Sequence, residues 1–67
     1  MTYDVVAVNI KTNKVRFFGQ DKTLGNAEAI VKMAIMRRGL DKEFYAVVEN
    51  GSHVEGGVYD PSKRVTA

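Results

Sequence analysis

A chain of 67 residues with no cysteine excludes a disulfide framework, and a lone histidine, His53, leaves no zinc-ligand cluster. The formal net charge of +2, with acids and bases interspersed, is small for a dedicated nucleic-acid arm. This length allows one domain with one modest core, for which oligomerisation is the reinforcement left open.

Tyr3 to Ile10 is rich in β-branched residues and reads as the first strand, with Val6, Val8 and Ile10 on one face. The other face carries Tyr3, Val5, Ala7 and Asn9. Apolar character on both sides predicts a central strand covered at least partly on each face. Lys11 to Lys14 is polar, and Asn13 can take the left-handed conformation of a tight hairpin. Val15 to Gly19 returns as a second strand, with Val15 and Phe17 facing one way and Arg16 and Phe18 the other.

The segment Asn26 to Gly39 reads as a helix. Its main stripe is Leu24, Ala27, Ile30, Val31, Ala34 and Ile35, the spacing of a face packed on a core. Thr23 is a candidate N-cap, with Asn26 the competing choice. Glu28 and Lys32 form an i,i+4 pair, and Arg37 and Arg38 complement the negative helix end. Gly39 suits the left-handed position after the helix, with Leu40 folding back onto Ile35. A second apolar cluster, Ala29, Met33 and Met36, lies well around the helix from this stripe. One sheet cannot bury both. The surplus points to a partner, unless Val58 and Tyr59 fold over the methionines.

Glu43 to Glu49 alternates as a third strand, with Phe44, Ala46 and Val48 on one face and Tyr45 and Val47 on the other. Asn50-Gly51 is a strong hairpin signal, so Ser52 to Glu55 is expected as a fourth strand. Asp60-Pro61 starts a turn, and residues 61–67 have little to bury and are expected to form a flexible tail. The fold expected is α+β: a single ββαββ domain over residues 1–60. Its four-stranded antiparallel sheet has the order 2-1-3-4, with the helix packed on one face.

One helix leaves one sheet face open. If Val6, Val8, Phe44, Ala46 and Val48 meet the helix, the open face presents Tyr3, Val5, Ala7, Tyr45 and Val47. A one-residue slip exchanges the two sets. An exposed apolar and aromatic patch of that kind marks an interaction surface. The protein-binding candidates are therefore Ala29, Met33, Met36 and Arg37 on the helix and Tyr3, Val5, Tyr45 and Val47 on the sheet, either set able to support a homodimer. The alternative is single-stranded nucleic acid bound through Arg16, Phe18, Tyr3 and Tyr45, which combine stacking rings with a phosphate contact.

Catalysis has little to stand on. His53, expected as a solvated residue on an edge strand, lacks a positioned nucleophile, and Ser52 beside it in a strand would face away. Asp41 and Glu43 read as a solvated turn, and Gly56-Gly57 lacks the lysine and helix of a phosphate loop. No catalytic residue, metal, cofactor or small-molecule substrate is expected. Without a signal-peptide pattern or an apolar run of roughly 20 residues, a cytoplasmic protein is expected, with no membrane partner.

The string K-T-L-G-N-A-E-A-I-V-K-M-A-I-M-R-R-G, followed by D-K-E-F-Y, resembles short open reading frames of tailed bacteriophages. The likeness spans roughly Tyr3 to Glu49 and carries over no functional residues. It implies an accessory factor that binds a bacterial host protein or another host or phage macromolecule in the cytoplasm, for host takeover or counter-defence.

Overall fold

The structure, a computed structural model, describes residues 1–65. In chain order it comprises β1 (Tyr3–Asn9), β2 (Val15–Lys22), α1 (Leu24–Arg38), β3 (Glu43–Glu49) and a 3-10 turn at Pro61–Lys63. The fold is α+β, with an antiparallel sheet in the order β2-β1-β3. β1 is central, as its two apolar faces require, and every residue from Asp4 to Val8 is buried.

The turn from β1 to β2 uses Asn13 at φ 61°. Asn9 supports it by accepting from the amides of Lys11 and Thr12. β2 then runs longer than Gly19. Its pairing with β1 shifts register twice, first between Val6 and Val5 and again between Val5 and Tyr3. At the first shift Val6 pairs with Phe17 and Val5 with Gly19, so Phe18 is the extra residue. Alternation from Phe17 already sets Phe18 on the face of Val5, where it packs against the cluster of Val5, Ala27 and Val47; the extra residue alters the pairing only from Gly19 onward. The second shift holds Asp21 at φ 55°, a conformation aspartate tolerates better than most residues.

α1 starts at Leu24, earlier than Asn26. The Thr23 side chain accepts from the Asn26 amide at 3.3 Å, and Gly39 at φ 71° donates its amide to Ile35 at 2.9 Å. Ala27 and Ala34 are buried, with Ile30 and Val31 half-buried beside them. These four carry the packing. Leu24 and Ile35, at the margins of the expected stripe, remain exposed.

The helix lies on the face opposite to the one first considered. It covers Val5 and Val47 through Ala27, and Ala7 and Tyr45 through Ala34. The single-residue alternation of a strand leaves both assignments open, and the structure turns Val5, Ala7, Tyr45 and Val47 toward α1. Val6, Val8, Ala46 and Val48 lie on the other face with Val15, Phe17 and Phe44, and Tyr59 closes over them.

The expected fourth strand is absent. Asn50-Gly51 does turn, with Gly51 at φ 78°, but the turn is tied to the start of β1. The buried Asp4 carboxylate accepts from the Gly51 amide at 3.1 Å and from Asn50 Nδ2 at 2.9 Å. The edge of β3 is instead met by Arg64, bridged to Val48, and by the Val65 amide, which donates to the Val47 carbonyl at 2.8 Å. Residues 50–65 form a strap that reaches the β2 edge, where Gly56 and Gly57 exchange hydrogen bonds with Val15, and returns to β3. Arg64 and Val65, from the segment expected as a tail, therefore pair with β3. Residues 66 and 67 of the expected tail lie outside the described part.

Candidate protein-binding face on the helix

Tyr45 is 4% exposed, Val47 1% and Val5 0%, and Tyr3 is half-buried against the same cluster. These four candidates sit beneath α1 and present no open face. The opposite face is filled by the strap. The apolar sheet face expected to be open is therefore covered, as is the opposite one.

The helix candidates fare differently. Ala29 is exposed, Met33 is 51% exposed, Met36 84%, and Arg37 stands exposed next to Met36. The strap does not reach them, since Tyr59 lies across the sheet in the other core and Val58 is itself exposed. Ile35 and Leu40 extend the apolar surface toward the end of the helix.

Beside Met33 a groove of about 280 Å³ runs between α1 and β2, lined by Phe18, Ile30, Met33, Ala34, Arg37 and Arg38. Its origin is local. Ala34 is small enough to let the helix approach the sheet, and Phe18 packs on the same cluster from β2. The Phe18 ring is tilted against Tyr45 at 5.4 Å, with the guanidinium of Arg38 at 5.3 Å and that of Arg16 at 5.7 Å from its centroid. Arg16 reaches across β1 to Glu43 through two hydrogen bonds of 2.9 and 3.3 Å. The Glu43 hydrogen bond holds the Arg16 guanidinium still more firmly protonated than usual. Arg37 and Arg38 have no such carboxylate within 4.0 Å among the described residues.

This geometry weakens the nucleic-acid alternative. Arg16 and Phe18 do come together, but Tyr45 is covered and Tyr3 lies in the helix-side cluster. The Phe18 ring already has guanidinium neighbours where a base would stack.

His53 departs most from its expectation. It is 6% exposed, stacked on Tyr59 at 5.6 Å, and hydrogen-bonded to Ser52 Oγ at 2.9 Å. A Ser-His contact invites a catalytic reading, but the proton runs the wrong way. The Asp60 amide donates to His53 Nε2, so Nε2 is the acceptor and the ring proton sits on Nδ1, facing Ser52. Ser52 in turn donates to the Glu49 carbonyl at 2.6 Å. The pair is a strap fastening. Nearby, the hydroxyl and amide of Ser62 hold the Asp60 carboxyl below the usual aspartate range. Among the described residues no group of three His, Asp or Glu side chains is placed to hold a metal ion. No helix of the described residues is long and apolar enough to cross a membrane.

Sequence reasoning found the methionine cluster and set Phe18 on one face with Arg16, but missed the groove because it considered the helix first on the opposite face of the sheet. Comparison with protein-family models, curated proteins and solved structures gives no match.

Proposed function

We propose that this chain is a non-enzymatic protein-binding module whose contact surface is the outward face of α1, from Ala29 to Arg37. The observation that carries this reading is the exposure of Met33 and Met36 on a molecule whose two sheet faces are otherwise closed. Thioether side chains conform to irregular surfaces, and an exposed apolar strip bordered by cations suits a protein contact. The likeness to short tailed-phage reading frames fits an accessory factor acting on a host or phage macromolecule in the bacterial cytoplasm.

Charge favours a foreign partner over a second copy. The helix surface carries Lys32, Arg37 and Arg38 against Glu28, so two copies meeting face to face bring like charges together. Site-directed photocrosslinking tests the reading. A photoreactive residue at Met36 is expected to give discrete protein adducts in bacterial lysate, while the same residue at the exposed Val54 on the strap gives none. Equal labelling from both positions, or none from either, would sink the proposal. A single adduct at twice the chain mass would identify a homodimer instead.

A further inference from the structure

We infer that the groove between α1 and β2 selects the partner, and that it takes an apolar side chain flanked by a carboxylate, presented by a segment of another protein. This rests on reading the outward face of α1 as a protein-binding surface. The floor and wall of the groove are apolar, formed by Phe18, Ile30, Ala34 and Met33, and its rim carries Arg37 and Arg38. Its volume of about 280 Å³ is open, lies at the lower edge of the range for small-molecule pockets, and has room for a side chain.

The rim charges specify the rest. Arg16, the third guanidinium near Phe18, is already paired with the Glu43 carboxylate through Nε and Nη2. Arg38 lies against Phe18, and Arg37 lies next to it on the helix; neither has a carboxylate partner within 4.0 Å among the described residues. Two guanidiniums bordering one apolar slot complement a carboxylate beside an apolar group, because a guanidinium pairs with a carboxylate in a bidentate, directional way. A second copy does not supply this combination from its own helix face, where Glu28 is outnumbered by Lys32, Arg37 and Arg38. A nucleic acid supplies the anion without an apolar side chain for the floor.

Selection of a random-peptide display library on the immobilised full chain tests this. Enriched peptides are expected to carry Asp or Glu next to Leu, Ile, Met or Phe. Their affinity should fall by about tenfold or more in Arg37→Glu/Arg38→Glu, as removal of charge-assisted contacts predicts, and should weaken with added salt. Both variants change exposed positions, and retention of the native circular dichroism spectrum confirms their fold. Peptides that lack acidic residues and lose binding only in Met36→Lys would overturn the groove's selectivity while leaving the helix-face reading intact. Binders indifferent to both variants, or no binders at all, would overturn both. Displacement of the enriched peptides by single-stranded oligonucleotide at low salt would show that phosphate is the anion, which also overturns the inference.

Discussion

On one face of the sheet α1 lays Ala27, Ile30, Val31 and Ala34 over Val5, Ala7, Tyr45 and Val47, while on the other an irregular strap covers Val6, Val8 and Val48 with Tyr59. A helix satisfies its own backbone and so can offer a whole row of side chains to the core. The strap cannot. Several of its amides depend on outside acceptors: Gly51 on Asp4, Gly56 on Val15, Tyr59 on Asn13 and Val65 on Val47. The helix side therefore rests on distributed packing. The strap side concentrates its stability in a few groups, and single substitutions there should cost more.

Tyr59→Ala tests this most severely. The ring packs edge-on against Phe44 at 5.3 Å, stacks on His53, and closes the cluster of Val6, Val8 and Val48. Truncating a buried aromatic costs about 3–5 kcal/mol. That approaches the whole stability of a small domain. Urea denaturation is expected to show most of the cooperative transition lost, and a decrease below about 1 kcal/mol would show that the strap lies outside the core.

Asp4 comes next. It is 1% exposed and its carboxylate accepts from the Asp21 amide, Asn50 Nδ2 and the Gly51 amide. It fastens the strap's first turn to β1 and to the second shift in β2. In Asp4→Ala the Asp21 and Gly51 amides lose their acceptor, while Asn50 Nδ2 keeps Asp21 Oδ1; loss of hydrogen bonds to a carboxylate costs about 1.5–3 kcal/mol. Hydrogen exchange should show the Gly51 and Asp21 amides deprotected while those of α1 stay slow. Unchanged exchange at Gly51 would refute the fastening.

The helix side gives the contrast in Thr23→Ala. Loss of the N-cap hydrogen bond to Asn26 costs about 1 kcal/mol, spread over an end that frays without releasing the packed middle. The expected result is a lower melting temperature with Ala27 and Ala34 still protected from exchange. A loss as large as that for Tyr59→Ala would erase the distinction between the two faces.

Local rules made the helix side legible. Thr23, Gly39, the Ala27-Ile30-Val31-Ala34 spacing and the central β1 all follow from patterns within a few residues. The strap side was hidden because its determinants are distant pairs. Nothing adjacent to Asn50-Gly51 says that Asp4, 46 residues earlier along the chain, will hold it away from a hairpin. His53 reads as an edge residue until Asp60 and Tyr59 are seen to enclose it. The helix groove was hidden because it depends on which sheet face the helix covers: Phe18 lines it only because α1 lies on the Val5 side.

The smallest effect is the most diagnostic of the strap. The Tyr59 hydroxyl is buried and has no hydrogen-bond partner among the described residues, and burial, the largest influence on it, raises its pKa above the usual phenol value. A folded pKa above the unfolded one means that the protonated ring contributes stability fully below the unfolded value of about 10. That contribution is lost as pH rises through the folded value. Tyr59→Phe removes both the unpaired hydroxyl and its titration while keeping the ring on Phe44 and His53. Removing a buried polar atom that bonds to nothing should leave stability at neutral pH unchanged or raised by less than about 1 kcal/mol. Above pH 10 the substituted chain should then become the more stable of the two, as measured by urea midpoints across the alkaline range. Destabilisation at neutral pH would mean that the hydroxyl has a partner after all, and the strap would then be fastened at its centre as well as at its ends.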